Sequence, residues 1–117
     1  MKIKVSIDVG MAFDMLSVLA IKFSINSSSQ NLNNYNNLHN DIILSIGIEK
    51  TTLILNSIEY ANLLSSNKKT YDLVALAKTD SVKASEIDNS NFERFKNRGI
   101  LQTKFFKEGL TENKIGY

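Results

Sequence analysis

Residues 12–23 read AFDMLSVLAIKF, and the way this stretch is read decides the fold. At about 100° per residue, Ala12, Phe13, Leu16, Leu19, Ala20 and Phe23 form one unbroken apolar arc, which predicts a helix from Met11 to Phe23. The opposite side does not turn polar. It mixes Asp14, Ser17 and Lys22 with Met11, Met15, Val18 and Ile21. A helix apolar nearly all round must be central, or be covered by a partner on its second face. Asp14 and Lys22 lie two turns apart, about 12 Å along the axis, so each needs a partner elsewhere in the chain.

On the N-terminal side, KIKVSI at residues 2–7 alternates apolar with charged or polar side chains and predicts a short strand, with Gly10 as a turn. On the C-terminal side, SINSSSQ is a loop with helix N-cap candidates at Ser27, Ser28 and Ser29. The following NLNNYNNLHNDIILSIG has the composition of asparagine-rich coil. Its apolar positions Leu32, Tyr35, Leu38, Ile42 and Ile46 nevertheless step by three and four, predicting a helix over 30–46 that ends at Gly47 in a left-handed cap. IEKTTLILN reads as a connector or ragged helix start, with Ser57 as an N-cap.

A third helix is expected over 58–78, with Tyr60, Leu63, Leu64, Tyr71 and Val74 on its buried stripe and Asn67 in the middle of it. The fourth spans 85–107, with Ile87, Phe92, Phe95, Phe105 and Phe106 on its apolar half. Asn91, Arg98 and Gln102 fall inside that apolar arc, at i, i+7 and i+11. The expected architecture is a single mainly α domain over 1–117. It comprises four helices in antiparallel hairpins, with the N-terminal strand paired to the C-terminal segment LTENKIGY.

A chain of 117 residues is long enough to bury a core without metal or disulfide support. With no cysteine there is no disulfide framework, thiol nucleophile or thiolate metal site, and His39 alone leaves a zinc site dependent on carboxylates. No cofactor is implied. The net charge of +2 provides no strong field for nucleic acid or anionic lipid. The apolar run from Val9 to Ile25 is broken by Asp14 and Lys22 and is too short to span a membrane; Asp8 and Asp14 also argue against a signal peptide. The expected location is the cytoplasm, that of the host if the protein is viral.

No phosphate loop, Cys/His cluster or serine elbow is present, which counts against the common enzyme classes. The informative residues are Asn67, Asn91, Arg98 and Gln102. An amide or guanidinium on a buried stripe costs about 1–3 kcal/mol if its hydrogen bonds are unmet. One reading is that these groups bond between helices and fix their alignment, in a non-enzymatic binding or assembly module. The alternative is a small enzyme or ligand-binding protein whose Asn67, Asn91, Arg94 and Arg98 meet an anionic or sugar-like molecule between helices three and four, with Asp14 or Glu93 as base. A distant third is nucleic-acid binding through Arg94, Arg98, Lys96, Lys104 and Lys107 interleaved with aromatics. A solvated helix face explains the lysines more simply. His39 reads as a satisfied or interfacial histidine. The apolar excess of the first helix predicts a homodimer or higher oligomer.

Taken in order, KIKVS, DMLSVLAIK, SNKKTYDL, NSNFERFKNR and ENKIGY resemble an uncharacterised family of small, mostly helical proteins of bacteria and tailed phages. That family's pattern has a Lys-Ile-x-Val start, Asp-x-Leu-Ser-Ile-Leu-x-Ile-Lys, Val-Asn-x-x-Leu-Trp-Asp, Thr-Asn-x-Glu-Arg and a Glu-x-Lys-x-x-Tyr end. The resemblance spans nearly the whole chain. It singles out Asp14, Ser17, Lys22, Asn67, Asn91, Glu93, Arg94, Glu112, Lys114 and Tyr117, and implies that Asp14 and Lys22 join one polar cluster tied to the fourth helix and the tail. The chain departs from the pattern at Tyr71 for Trp, Ser90 for Thr and Gly99 within helix four. No reaction is implied.

Overall fold

The computed structural model describes residues 1–3, 5–79 and 81–107. It is mainly α, with five helices among these residues: α1 (Val9–Ile25), α2 (Ser29–Ile46), α3 (Ile48–Leu55), α4 (Ile58–Leu76) and α5 (Ala84–Phe106). Local chemistry sets several boundaries. Ser28 and Ser57 cap α2 and α4, their hydroxyls accepting from the backbone N–H of Asn31 at 3.2 Å and Tyr60 at 3.1 Å. Gly47 sits at φ 88°, ψ 156°, a region open essentially to glycine alone, so the chain stops α2 and starts α3 within one residue.

Three expectations need correction. Gly10, read as a turn, lies within the first turn of α1 and is buried. The segment read as a connector or ragged helix start holds a helix of its own, Ile48–Leu55, so there are five helices among the described residues and not four. Its Thr51 hydroxyl donates to the Gly47 carbonyl at 2.7 Å, securing the first turn. The strand at residues 2–7 is absent, and no strand occurs among the described residues. Ile3 and Val5 are exposed instead. Alternation marks a segment competent to pair, but a strand exists only where another completes its ladder. Its expected partner, residues 110–117, lies outside the described residues. Gly99 does not interrupt α5, which runs through it.

Pairings between helices give their directions. Along α4 and α5, Glu59 meets Lys104, Ser66 meets Asn97, Lys69 meets Glu93 and Thr70 meets Ser90, so the two run antiparallel. Against α1, Gly10 meets Gln102 while Asp14 meets Arg98 and Arg94, again antiparallel. On α4, Phe13 meets Tyr60 while Asp14 and Ser17 meet Asn67, so α1 and α4 run in the same direction.

α1 is central, as its apolar circumference demands: it packs on α2, α4 and α5. Phe13, Leu16, Ile42, Ile54, Tyr60, Leu63 and Leu101 form the core, with the Phe13 and Tyr60 rings edge to face at 6.1 Å. Burial pushes the Tyr60 hydroxyl well above the usual phenol range, and Tyr35 adds to the shift. Most of the apolar circumference of α1 that argued for an oligomer is thus covered within the chain itself, with Met15 and Ile25 left exposed. Away from α1, Tyr71, Val74 and Leu76 on α4 and Phe92 on α5 are exposed as well. These belong to the far half of the α4–α5 hairpin or its border. In residues 71–79 and 81–89 only Leu73, Val82 and Ile87 are half-buried, and all the others are exposed.

Candidate functional site

Asp14 faces away from α2 and into the junction of α1, α4 and α5, where it is 2% exposed. Its Oδ1 accepts from Asn67 Nδ2 at 2.8 Å and from Arg94 Nη2 at 3.1 Å, and its Oδ2 accepts from Arg98 Nη1 at 3.3 Å. Three donors from two other helices therefore hold one carboxylate. This is what a charge out of water requires, since desolvation costs several kcal/mol per ion unless hydrogen bonds replace the lost hydration. Asn67 Nδ2 also donates to Ser17 Oγ at 2.5 Å, and the Ser17 hydroxyl donates to the Asp14 carbonyl at 2.7 Å.

The network continues along α5. Gln102 is fully buried, and its Oε1 accepts from the backbone N–H of Gly10 at 2.8 Å. That N–H is one of the orphan donors of the first turn of α1, satisfied here from 92 residues away. A side chain at Gly10 would not fit: its Cβ would stand 2.9 Å from Gln102 Oε1 and 3.0 Å from the Arg98 carbonyl oxygen. Glycine thus permits the close approach of α1 to α5. The Arg98 guanidinium, 8% exposed as a residue, lies 4.8 Å from the Phe95 ring centroid and within 3.2 Å of Met11 Sδ. Between α4 and α5, the Thr70 and Ser90 hydroxyls bond at 2.6 Å, and Asn97 Nδ2 donates to Ser66 Oγ at 3.1 Å. Asn67 Oδ1 is buried without a hydrogen-bond partner among the described residues.

The sequence-predicted residues separate clearly. Asp14, Asn67, Arg94 and Arg98 come together in one hydrogen-bonded cluster. Lys22 does not join it: two turns beyond Asp14, its side chain is exposed, and only its carbonyl takes part in a bond, from Asn31 Nδ2 at 3.4 Å. Asn91 is exposed and accepts from Arg94 Nη1 at 3.4 Å. It lies on the same line of α5 as Arg98, about two turns nearer the N-terminus. Glu93 is exposed and 3.6 Å from the Lys69 ammonium. Glu112, Lys114 and Tyr117 lie outside the described residues. His39 is half-buried, and its ring lies tilted against Tyr35 one turn earlier on α2, with ring centroids 5.8 Å apart.

Sequence reasoning missed Gly10 as a contact residue, the Thr70–Ser90 bond and the Asn97–Ser66 bond. Thr70 carried a usable signal, since it lies one turn beyond Asn67 on the same face of α4. Ser90 and Gly10 carried none. Among the described residues no group of three or more His, Asp or Glu side chains is placed to hold a metal ion, and no helix is long and apolar enough to cross a membrane.

No family model matches the chain, and no curated protein or solved structure matches it either. The functional reading therefore rests on the geometry alone.

Proposed function

We propose that this protein is a non-enzymatic helical binding or assembly module. In this reading the Asp14 network sets the alignment of α1, α4 and α5, and the exposed far half of the α4–α5 hairpin is the surface that associates, first with a second copy of the chain. The observation that carries it is the engagement of both Asp14 carboxylate oxygens by Asn67, Arg94 and Arg98. A general base needs a lone pair within reach of substrate, and Asp14 offers none to solvent. The other candidate base, Glu93, stands on the outer surface beside Lys69. What such a network does well is to select one register, because sliding α5 along α1 by a turn would strand both guanidiniums.

Kinship with the small helical family of bacteria and tailed phages belongs to the same proposal. It is supported by Asp14, Ser17, Asn67 and Arg94, which come from three of the short motifs and share one cluster.

The test is to replace the network by apolar side chains in the triple variant Asp14→Leu, Asn67→Leu, Arg98→Met. Arg94, half-buried at the edge, can be solvated. The expected result is a folded chain with an equal or higher melting temperature. Its amide spectrum should be broadened, or its mass by light scattering changed, because several registers now compete. A sharp single-species spectrum with wild-type mass would overturn the alignment role.

A further inference from the structure

A cleft of about 270 Å³ lies on the α2 side of α1, away from the Asp14 network and against the N-terminal arm. Val5 and Ile7 line it from the arm, Ala12 from α1, and Leu38, Ile42 and Ile46 from one stripe of α2. The arm covers this cleft without filling it. Val5 and Ile7 remain 74% and 47% exposed, and among the described residues no backbone hydrogen bond ties residues 5–7 to the helices. The polar part of the lining is Asp41 and Ser45, one turn apart at the edge of the same stripe. Asp41 is exposed, and its carboxylate has no ion-pair partner among the described residues. No cationic side chain belongs to the described lining, and the last turn of α2 has no basic residue. The Ser45 hydroxyl donates to the Asp41 carbonyl at 2.9 Å, which leaves its oxygen lone pairs to accept.

We infer that this cleft binds a small primary ammonium carried on an apolar body of about five or six carbons. The ammonium sits on the Asp41 carboxylate, with Ser45 Oγ as a second acceptor for its three donors. The body lies along Ile42 and Ile46, beneath Val5 and Ile7. From Asp41 to Ile46 the stripe runs about 7.5 Å along the helix axis, which sets the length of the body. Neither half of such a ligand suffices alone: an exposed carboxylate pairs weakly with a free cation in water, and a short hydrocarbon gains only in proportion to the area it buries. Joined in one molecule the two contributions add, because the freedom lost on association is lost once. Filling the cleft also takes more of Val5 and Ile7 out of water, so the arm closes over its ligand. The site stands apart from the alignment role, since none of its lining residues takes part in the Asp14 network.

The experiment is an amide-resolved NMR titration of the full chain at pH 7 and low ionic strength with three probes: 4-methylpentylammonium, the neutral 4-methylpentan-1-ol, and methylammonium. The expected result is saturable shifts at Ile7, Ala12 and Ile42 with 4-methylpentylammonium, with a Kd of about 1 mM. The alcohol and methylammonium should each bind at least about tenfold more weakly. Asp41→Asn, at an exposed position, should weaken binding by about tenfold. Ser45→Trp, which fills the cleft from its rim, should abolish it. Equal affinity for the alcohol would overturn the proposal, because the carboxylate would then be irrelevant. Equal affinity for methylammonium would overturn it as well, because the apolar lining would be. So would the absence of saturable shifts, or either variant binding like the wild type. Should Ser45→Trp fail to fold, the Asp41→Asn comparison decides alone.

Discussion

The near half of the α4–α5 hairpin, residues 58–70 with 90–106, is packed against α1, while the far half, residues 71–79 with 81–89, stands largely in solvent. Both halves carry the same pattern. Tyr60, Leu63, Asn67, Tyr71 and Val74 lie on one stripe of α4, within about 80° of each other at helical spacing. Yet the first three are buried, and Tyr71 and Val74 are exposed. Periodicity states which way a side chain points; it does not state how far along the helix a neighbour extends. Beyond Asn67, α1 stands away from α4, and Val18, Ile21, Tyr71 and Val74 line a cleft between the two helices. In the near half the stripe therefore holds the fold together, and in the far half it is left available.

The sharpest way to break that contrast is at Asp14. Asp14→Leu takes the Asp14 carboxylate away from the buried Arg98, and removing one partner of a buried ion pair costs about 3–5 kcal/mol. The expected outcome in urea unfolding is a midpoint lowered to the edge of stability, or a chain that does not fold. Asp14→Asn keeps one acceptor for Arg98 and should lose less. If both variants unfold at the wild-type midpoint, the near half does not depend on its network.

Next in size is a matched pair of truncations on α4. Leu63 is fully buried, and Leu63→Ala should cost about 2–5 kcal/mol. Leu76, 46% exposed in the far half, should cost no more than about 0.5 kcal/mol as alanine in the isolated chain. At high protein concentration the second number becomes informative. If the far half associates with a second copy, the Leu76→Ala variant loses mass by light scattering at a concentration where the wild type keeps it.

A third comparison concerns approach distance. Gly10→Ala gains helix propensity, about 1 kcal/mol, but places a methyl 3.0 Å from the Arg98 carbonyl oxygen, which belongs to the backbone and cannot step aside. Overpacking of this kind costs about 1–3 kcal/mol, so a net loss of about 1 kcal/mol is expected, with amide shifts at Gly10 and Gln102. A stabilised variant would mean that α1 and α5 have slack at this point.

Much of this was legible in the sequence. The central position of α1 followed from a helix with no polar face, and the α2 helix followed from spacing that overruled an asparagine-rich composition. Ser28 and Ser57 caps, and glycine at 47, were readable because each is a local backbone demand. The network was legible only in part. Asn67 and Arg98 stood out as polar groups on apolar stripes, Asp14 as a charge on a helix without a polar face, and Arg94 as the neighbour of Arg98 by one turn, but Asn91 satisfied the same angular rule as Arg98, and Lys22 stood on the same mixed face as Asp14, yet both are exposed. Residues 2–7 failed for the complementary reason: a strand is a property of two segments, and one segment's alternation cannot supply the other. Gly10 gave no signal, since its constraint comes from a side chain 92 positions away.

The smallest effect is expected at the other end of the near half, where Lys104 of α5 places its ammonium 3.0 Å from both carboxylate oxygens of Glu59 on α4. Hydrogen bonding to Lys104 holds the Glu59 carboxyl below its ordinary pKa of 4.5. A group whose pKa is lowered on folding adds stability above its unfolded pKa, and that stability is lost as the pH falls through the lowered, folded value. Glu59→Gln should therefore lower the melting temperature slightly at pH 7 and leave it unchanged well below pH 4.5, so the two proteins' curves converge in acid. Because Lys104 is half exposed, molar salt should shrink the pH 7 difference by screening, whereas the loss in Asp14→Leu, inside the junction, should survive it. A Glu59 difference that persisted in both acid and high salt would mean that this side chain acts by packing and not by charge, and the contrast between a buried network and a surface tie along α5 would have to be redrawn.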